Sequence, residues 1–535
     1  MGSYLNPAPV GFRRSLNSEI YVDKSGLIAQ TNRALNTQNN CLCVSRPRRF
    51  GKSMAVDMLA AYYAFGQDTH ALFAGLKIAA DPGYETHINQ YNVLRINMQE
   101  FLSKTHDVEK MLQKLCRYLI TELRDAHPDV LYLDEEDLVQ VQLDIFSRTG
   151  RLFVILIDEW DCLFREFSRD TEAQKKYLDF LRLWLKDQPY VGLAYMTGIL
   201  PIKKYGTHSA LNMFLEISMT SPRDLAPFFG FTDQEVRALC DEYAMSYEEA
   251  RAWYDGYELT ERTGLREEVI YSMYSPRSMV EAMLSHTYGP YWNRTETYEA
   301  LKVYIRMNMD GLKDAVVKML AGEEVEIDPN GFANDMTTFA NRDDVLALLI
   351  HLGYLSYHAE RKTVTIPNKE VAQEYVTSIT RIESYGEVAR AVTDSKKLLE
   401  ALWAMDGAAV AEGIDRAHNE IAILRYNNEN ALSCAIHLAF FYAREYYNIY
   451  RELPAGKGFA DIVFVPRKLF ADKPAAVIEL KWDRDAEGAI AQIKAKKYCA
   501  ALKDYHGDLL LCGINYDRTT KTHTCLIEKA PPAQS

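Results

Sequence analysis

The 535-residue chain lacks several features that would assign it to a special class of protein. No run of eighteen apolar residues occurs, so we expect no segment that spans a membrane. The N-terminus has no basic stretch followed by an apolar one, so we expect no secretory signal. The nine cysteines include no Cys-x-x-Cys pair, and no paired histidines with zinc-site spacing accompany them. These absences predict a cytoplasmic protein with reduced thiols.

An excess of positive charge is also missing. Lysine and arginine total 61 against 74 aspartate and glutamate residues, which gives a formal net charge of −13. The chain is therefore not coated in basic surface, although a local basic groove for nucleic acid stays compatible with this charge. Apolar residues make up 48% and charged residues 25%, which is typical of a globular chain. At this length we expect two to four domains.

One loop has the surroundings of a phosphate-binding P-loop. Residues 41–44 predict a buried strand, residues 54–63 predict a helix, and Gly-Lys-Ser precedes that helix. Backbone N–H groups at the helix start would face an anion. Lys52 would reach the β- and γ-phosphates, and the Ser53 hydroxyl would ligate Mg²⁺. Gly-Lys-Ser alone is a weak signal, and Arg46 replaces the usual glycine six residues before the lysine.

A second motif follows in the order that a nucleotide site requires. Residues 152–157 are an apolar run typical of a strand buried on both faces, and Asp158 and Glu159 come directly after it. Ligands of α/β sheets bind outside such strand ends. Asp158 would hold the Mg²⁺ shell, and Glu159 would orient and polarise the attacking water. A helix N-cap with a first-turn acid is the alternative interpretation of this pair.

Other strand-like stretches complete the predicted α/β sheet. They lie at residues 92–97, 191–198 and 214–219 and alternate with helical patterns, which predicts five parallel strands. Thr197 ends the stretch that we place between the two motif strands, near the γ-phosphate. A purely structural threonine is an equal alternative. Arg223 follows the fifth strand and is only a guess for an arginine finger.

Residues 222–375 differ in character, because helical patterns punctuated by glycine or proline dominate them. Strand-like residues 354–357 and 363–366 follow a helix and predict the hairpin of a winged-helix-like module. The aromatic segment 253–257 fits best as a packed corner between helices. We expect this region to cover the nucleotide or transmit its state. The earlier segment 21–24 either packs beside the nucleotide base or decorates the edge of the sheet.

A second group of candidate residues lies near the C-terminus. Glu479 and Lys481 are two apart on a predicted strand and therefore share a face, and a hairpin with the preceding strand would bring Asp461 alongside. Two carboxylates at one point are costly unless a cation neutralises them. Mg²⁺ would do so and would activate water for attack on a phosphodiester. Lys481 would position or deprotonate that water, or stabilise the developing charge.

The interpretation of this group stays open between a metal site and a surface Glu–Lys ladder. From spacing alone the ladder is preferred, because Glu-x-Lys is common. Asp461 has glycines nearby, an apolar lead-in precedes Glu479, and the next predicted helix carries Gln492, all of which favour a site. Glu429 and Glu452 are rival candidates for a further ligand or acid.

Together these motifs resemble those of bacterial predicted AAA-ATPase proteins fused to a PD-(D/E)XK nuclease-like domain. The resemblance spans nearly the whole chain and rests on Tyr21-Val22-Asp23-Lys24, Arg46-Pro47-Arg48-Arg49-Phe50-Gly51-Lys52-Ser53, Ile157-Asp158-Glu159, Thr197-Gly198, Trp253-Tyr254-Asp255-Gly256-Tyr257, His351-Leu352-Gly353-Tyr354-Leu355, and Asp461 with Glu479-Leu480-Lys481. The Arg-Pro-Arg-Arg-Phe-Gly-Lys-Ser loop is the most specific of them, and the resemblance makes Arg46 a trait of the family.

The resemblance implies an α/β P-loop fold of the ASCE type, in which one strand separates the two motif strands, a helical or winged-helix-like middle, and a restriction-endonuclease-like α/β domain. We place these domains at residues 1–221, 222–380 and 381–535. The residues implied to contact the nucleotide are Arg46, Pro47, Arg48, Arg49, Phe50, Gly51, Lys52, Ser53, Met54, Asp158 and Thr197. The implied metal ligands are Ser53, Asp158, Asp461 and Glu479, and the implied catalytic residues are Glu159, Asp461, Glu479 and Lys481.

We therefore expect an ATP-binding and ATP-hydrolysing protein with a Mg²⁺- or Mn²⁺-dependent nuclease domain, which acts on DNA under the control of ATP. One alternative is a nucleotide-switched signalling or nucleic-acid-binding protein whose nuclease fold does not cleave. Another is an ATPase that remodels a protein partner, which usually needs a ring and a trans-acting arginine. ATP and DNA are the expected partners and a membrane is not, while a homo-oligomer stays open.

Overall fold

The computed structural model describes residues 2–202, 204–205, 208–209, 211–264, 267–292, 298–307, 309–334, 336–420, 429–455, 458–495, 502, 505 and 507–530. Within these ranges, none of the helices combines the length and the apolar character needed to cross a bilayer. The chain folds as two compact units, each assembled from two segments: Met1–Thr297 with Glu326–Ala372, and Tyr298–Val325 with Gln373–Ser535. The domain boundaries expected from the sequence stay a prediction.

The described α-helices of five or more residues are α1 (Val10–Leu16), α2 (Gly26–Ala34), α3 (Lys52–Tyr63), α4 (Met98–Thr105), α5 (Val108–Ala126), α6 (Leu138–Thr149), α7 (Cys162–Glu166), α8 (Thr171–Leu185), α9 (Asp233–Glu242), α10 (Tyr247–Tyr254), α11 (Pro276–Ser285), α12 (Tyr298–Ile305), α13 (Leu312–Leu320), α14 (Arg342–Leu352), α15 (Lys369–Ile379), α16 (Gly386–Trp403), α17 (Gly407–Glu420), α18 (Glu429–Ala439) and α19 (Ala486–Ala495).

The described strands of three or more residues are β1 (Cys41–Ser45), β2 (Asn92–Asn97), β3 (Phe153–Asp158), β4 (Val191–Gly198), β5 (Leu215–Ile217), β6 (Tyr257–Arg262), β7 (Glu268–Tyr274), β8 (Ser356–His358), β9 (Thr363–Thr365), β10 (Tyr447–Ala455), β11 (Gly458–Pro466), β12 (Ala475–Trp482), β13 (Leu509–Asp517) and β14 (Thr522–Lys529).

The first unit is built on a parallel sheet with the strand order β2-β3-β4-β1-β5. Every residue of β1, β3 and β4 is buried, which fits the continuous apolar runs of these strands. Strand β4 lies between β1, which leads into the P-loop, and β3, which ends in the two acidic residues. The predicted α/β sheet with one intervening strand is therefore confirmed.

The outer edge of this sheet is covered by the N-terminal segment. Residues 2–6 run antiparallel to β2, where the Asn6 N–H donates to the Val93 carbonyl at 2.8 Å. The Glu122 carboxylate on α5 accepts hydrogen bonds from the backbone N–H groups of three consecutive residues, Ser3, Tyr4 and Leu5, each at 2.8 Å. The segment thus pairs with the edge of β2, which would otherwise expose unpaired backbone groups.

The region after β5 contains a sheet that the sequence analysis missed. Strands β6 and β7 form an antiparallel hairpin, and β7 also pairs with the two-residue strand Phe231–Thr232. The expected hairpin after α14 is confirmed, because β8 and β9 pair antiparallel. The aromatic segment 253–257 is a packed corner, as expected, but it joins helix α10 to strand β6 and not two helices.

The second unit contains a mixed sheet with the order β10-β11-β12-β13-β14. Only the β12–β13 pair is parallel, and α19 is the helix between those two strands. Alternate residues of β12 pack on opposite sides: Val477 joins Ile490 of α19, and Ile478 joins the side chains of α16–α18. This helix-covered mixed sheet is consistent with the predicted restriction-endonuclease-like fold.

Candidate nucleotide and nuclease sites

A cleft of about 1430 Å³ opens over the loop that joins β1 to α3. Its walls are formed by this loop, the first turns of α3, the residues after β3, and part of α11. The segment 19–24 also lines it, with Tyr21, Val22 and Lys24. Residues of this segment therefore face the cleft, while their packing beside a nucleotide base stays a prediction.

The loop presents the start of α3 to the cleft. Gly51 adopts φ +90° directly before the helix, in the left-handed region that favours glycine, and a Cβ there would meet nothing within 4 Å. The Lys52 ammonium folds back over the loop and donates to the carbonyls of Arg46 and Pro47 at 3.0 and 2.9 Å. Ser53 and Met54 are exposed and line the cleft.

Burial lowers the pKa of Lys52, and the nearby charges of Glu159, Asp161 and Asp158 oppose that shift. Lys52 is 6% exposed, so its ammonium is held in a largely desolvated position beside three carboxylates. An ammonium in such a place interacts strongly with a phosphate that enters from the cleft, because the low local dielectric strengthens the attraction.

The four residues before Gly51 divide between the cleft and the protein interior. Arg48 and Arg49 line the cleft with Arg277 of α11, and the other two guanidinium groups contribute to the lowered pKa of Arg49, whose largest cause is burial. Three cationic groups converging on one cleft favour a polyanionic ligand. The Phe50 ring packs edge-on against Tyr257 with centroids 5.3 Å apart.

Arg46 and Pro47 do not line the cleft. The Arg46 guanidinium is fully buried, donates to the carbonyls of Ser45 and Ile217 at 2.9 and 3.4 Å, and lies 5.5 Å from the centroid of the Phe229 ring. Pro47 packs against the turn at Gly353, where an added Cβ would lie 2.8 Å from the proline ring. The Arg46 side chain therefore anchors the loop to the protein interior. Its backbone carbonyl accepts the hydrogen bond from Lys52.

Asp158 and Thr197 meet at the ends of β3 and β4, and neither is among the residues that line the cleft. The Asp158 carboxylate is 1% exposed, and its Oδ1 accepts hydrogen bonds from the Thr197 hydroxyl at 2.9 Å and the Glu159 N–H at 3.0 Å. Its Oδ2 is buried, and among the described residues it has no hydrogen-bond partner. A buried carboxylate oxygen with unused acceptor capacity fits a Mg²⁺ ligand, and the Ser53 hydroxyl would supply a second oxygen.

Glu159 lines the cleft and takes a left-handed backbone conformation, with φ +53°. Its Oε2 accepts a hydrogen bond from Arg165 Nη2 on α7. Burial raises the pKa of Glu159, while Arg165 and Lys52 lower it. A non-glycine residue held in a strained conformation at the end of a central strand is typical of a functional position.

Asp161, Arg165 and Arg277 were not identified from the sequence. Asp161 is fully buried, and its Oδ2 accepts the backbone N–H groups of Ile199 and Leu200, both at 2.9 Å. The sequence shows Asp161 as a third carboxylate close after Asp158 and Glu159. It does not show the partners of Asp161, which follow β4 almost forty residues later. Arg223, the earlier guess, donates to the Glu216 carbonyl at 3.2 Å and is not among the residues that line the cleft.

In the second unit, Glu479, Lys481 and Gln492 form a hydrogen-bonded group. Glu479 is 2% exposed, and its Oε1 accepts from Lys481 Nζ at 3.0 Å and from Gln492 Nε2. Lys481 Nζ also donates to Gln492 Oε1. The group lies on the face of β12 that α19 covers, so it is not an exposed Glu–Lys ladder.

The backbone places Asp461 on the strand beside Glu479. Ile462 of β11 pairs antiparallel with Ile478 of β12. Position 461, one residue before Ile462, therefore lies next to position 479, one residue after Ile478. The side chain of Asp461, and those of the rival residues Glu429 and Glu452, lie outside the described part of the chain. Glu479 as a carboxylate ligand fits a divalent cation, with Lys481 and Gln492 beside it.

Comparisons with known proteins agree with the two candidate sites. A family model described as "Predicted AAA-ATPase" matches residues 13–207, and one described as "PD-(D/E)XK nuclease superfamily" matches residues 427–524. The first range contains the P-loop, Asp158 and Thr197, and the second contains Asp461, Glu479 and Lys481. The chain thus carries both regions of the fusion that its motifs resemble.

Similarity to individual proteins is more distant. An "Uncharacterized protein in vnfD 5'region" from Azotobacter chroococcum mcd 1 is 26% identical over 286 residues, which are 52% of this chain and 51% of that protein. The chain therefore spans about half the length of the curated relative it matches. Among solved structures, the "Structure of the Aeropyrum Pernix ORC2 protein (ADPNP-ADP complexes)" is similar at 10% identity and a TM-score of 0.30, over 69% of this chain and 98% of that one.

Proposed function

We propose that this protein binds and hydrolyses ATP in its first unit and cleaves DNA in its second, with cleavage controlled by the bound nucleotide. The observation that carries the proposal is the presence of two clusters in one chain that each combine buried carboxylates with a lysine. Lys52, Asp158 and Glu159 form the first, and Glu479 with Lys481 forms the second at a strand beside Asp461.

The first site supplies each group that hydrolysis of a nucleotide requires. The ammonium of Lys52 leaves the carbonyls of its own loop and binds the β- and γ-phosphate oxygens, while the N–H groups at the start of α3 bind the phosphate chain. Mg²⁺ held by Ser53 and Asp158 would neutralise charge on the transferred phosphate. Glu159 orients the attacking water and accepts its proton. The hydroxyl of Thr197 keeps Asp158 in position.

The test of the first site is Lys52→Ala in the full chain. ATP hydrolysis should fall by about 10²-fold or more, because the variant loses the cation that contacts the transferred phosphate. The matched control is Lys77→Ala, since Lys77 lies on a neighbouring short helix and does not line the cleft. Hydrolysis that persists in Lys52→Ala at the rate of the control would remove the ATPase assignment.

The second site has the groups for cleavage of a phosphodiester. Glu479 and Asp461 would hold the divalent cation, which would activate the attacking water. Lys481, released from Glu479 when a cation binds that carboxylate, would stabilise negative charge on the reacting phosphate. Gln492 would keep its hydrogen bond to Lys481 and so limit the positions open to the ammonium.

The test of the second site is cleavage of supercoiled and linear DNA with Mg²⁺ or Mn²⁺, with and without ATP. Lys481→Ala should abolish cleavage, whereas Lys529→Ala, at an exposed ion pair with Asp508 on the same sheet, should cleave like the parent. Loss of cleavage in the first variant alone establishes the nuclease. Absence of cleavage under every condition would favour a nucleotide-switched binding protein, and an ATP-dependent change in assembly size would favour a remodelling ATPase.

A further inference from the structure

Arg165 lines the cleft and forms a hydrogen bond with the candidate catalytic residue Glu159. It lies on the short helix α7, lines the cleft, and has a side chain that is only 12% exposed. Its Nη2 donates to Glu159 Oε2, and its Nε is 3.5 Å from Asp161 Oδ2. No other hydrogen bond of this guanidinium is found among the described residues. The group is therefore fixed at one end and has donors left for a ligand.

The contacts of Arg165 tie the candidate catalytic acid to the rest of the site. Asp161, beside Arg165, accepts the N–H groups of Ile199 and Leu200. These residues follow Thr197, whose hydroxyl donates to Asp158. The residues after β3 and β4 are thus joined by hydrogen bonds through Asp158 and Asp161. Arg165 lies beside Asp161 in this network and pairs with Glu159.

A carboxylate oxygen that accepts a hydrogen bond from a guanidinium is occupied, and it is less available to bind and orient a water molecule. In the structure, Glu159 Oε2 is held in this pair. A γ-phosphate in the cleft offers Arg165 a more highly charged oxygen partner, and a guanidinium binds phosphate oxygens with two parallel hydrogen bonds. Exchange of partners would leave Glu159 free.

We propose that Arg165 is the arginine of the ATPase reaction, supplied by the same chain: it holds Glu159 in the absence of ATP and moves to the γ-phosphate when ATP binds. This inference rests on the proposed ATP hydrolysis. In the reaction the water oxygen forms a bond to the γ-phosphorus and its proton passes to Glu159. The bond from the γ-phosphorus to the β–γ bridging oxygen breaks, and that oxygen keeps the electron pair as ADP leaves. Arg165 stabilises the charge on the transferred phosphoryl oxygens.

The other arginines near the cleft do not offer the same combination. Arg277 of α11 is paired with Glu281 at 2.5 Å and is about half exposed. Arg48 and Arg49 belong to the loop itself and line the cleft before Gly51. Only Arg165, among the described arginines, joins a position on the cleft with a direct hydrogen bond to Glu159.

The experiment measures ATP hydrolysis and nucleotide binding in Arg165→Ala and Arg165→Lys, with Arg169→Ala as the control. Arg169 is exposed and lies four residues further along the chain, so its loss removes the same charge without touching Glu159. Arg165→Ala should lower kcat by about 10²–10³-fold. Its Kd for ADP should stay within about threefold of the parent, because the missing group contacts only the transferred phosphate. Arg165→Lys should recover part of the loss, since it keeps a point charge.

A second readout separates a catalytic from a structural role. ADP with fluoroaluminate mimics the transferred phosphoryl group, and the parent should bind this combination much more tightly than ADP alone. Arg165→Ala should lose that extra affinity and keep the affinity for ADP. The inference is overturned if Arg165→Ala hydrolyses ATP at the rate of the Arg169→Ala control, or if it loses affinity for ADP and for the analogue alike. A parent that binds ADP and hydrolyses no ATP would overturn the proposed ATPase function itself.

Discussion

The carboxyl group of Glu370 is buried beside the nucleotide cleft in an unusual electrostatic setting. It accepts hydrogen bonds from the Ser278 hydroxyl at 2.8 Å and from the N–H groups of Tyr291 and Trp292, both at 2.6 Å. Burial raises its pKa to about 7, although these hydrogen bonds and the Arg49 charge act in the opposite direction. The folded chain therefore retains a proton there at pH values where the unfolded chain has released it.

This raised pKa predicts a pH-dependent stability of the first unit. The contribution of Glu370 to the free energy of unfolding is fully present below its unfolded-state pKa of about 4.5. It is lost as the pH rises through about 7. Glu370→Gln imitates the protonated group, so the variant should exceed the parent in unfolding free energy at pH 8, by at most on the order of 3 kcal/mol. The two should agree near pH 4.5. Urea unfolding at both pH values checks this, and equal pH dependence of the two proteins would contradict it.

Thr197 was left open between a functional and a structural role, and its hydroxyl now has one identified partner. Thr197→Val keeps the side-chain volume but removes the donor to Asp158 Oδ1. We expect kcat for ATP hydrolysis to fall by about 10- to 100-fold, because a partner that orients a metal ligand is lost. The Mg²⁺ concentration needed for half-maximal activity should rise for the same reason. Thr197→Ser should retain activity. A valine variant with normal kinetics and lower stability would assign the threonine a structural role only.

The candidate residues that the sequence analysis named are those with an informative local sequence. Lys52 and Ser53 stand in a loop between a strand and a helix, and Asp158 with Glu159 ends an apolar run, so the neighbours of each residue reveal it. Arg165 could not be identified in this way. Its partners Glu159 and Asp161 lie only six and four residues earlier. They meet Arg165 because of the turn between β3 and α7, whose shape the sequence did not indicate.

At the scale of single elements, the corner between α10 and β6 depends on one glycine. Gly256 has φ +114°, and a Cβ at this position would lie 1.9 Å from the carbonyl oxygen of Pro367. Gly256→Ala therefore combines backbone strain with an overlap against main-chain atoms that cannot rotate away. We expect it to lower the unfolding free energy of the first unit by about 2 kcal/mol or more.

The control for this variant is Gly264→Ala at the tip of the β6–β7 hairpin. Its nearest atoms would be 3.6 Å from the new Cβ, and its backbone is not in the left-handed region. The control should therefore unfold at nearly the same urea concentration as the parent. If the two alanine variants proved equally stable, the corner would not have the close approach that the structure gives it.

Prediction of whole elements succeeded where the hydrophobic period was unambiguous. The strands β1, β3 and β4 are continuous apolar runs, and their common burial follows from a parallel sheet covered on both faces. The hairpin β6–β7 was missed although Tyr257 and Leu259 alternate with Glu258 and Thr260 in β6, because β7 begins Glu268-Val269-Ile270-Tyr271 without such an alternation. The antiparallel pairing with β6 is what identifies β7 as a strand.

At the scale of the whole molecule, each unit is assembled from segments that are separated in sequence. Residues 298–325 fold with the C-terminal unit, and residues 326–372 return to the nucleotide unit. The order of the motifs could be read from the chain, since each motif is local. The return of a segment to an earlier unit depends on packing between distant residues, which a single sequence does not display.

The control of cleavage by nucleotide predicts a specific behaviour of the full chain. If ATP bound at the P-loop governs the nuclease, ATP should change the rate of DNA cleavage by the parent and leave the rate of Lys52→Ala unchanged. Without nucleotide, the two proteins should cleave at the same rate, because Lys52 belongs to the first unit and the nuclease residues to the second. The measurement is the initial rate of cleavage of a linear duplex.

Lys52→Ala also controls for an effect that has nothing to do with the protein. ATP binds Mg²⁺ and Mn²⁺ in solution, so it lowers the free concentration of any cation that the nuclease uses. An equal response of the parent and Lys52→Ala would have that origin and would argue against regulation. A response of the parent alone, repeated with a non-hydrolysable ATP analogue, would place the control at nucleotide binding. Loss of the response with the analogue would place it at hydrolysis, the step assigned to Glu159 and Arg165.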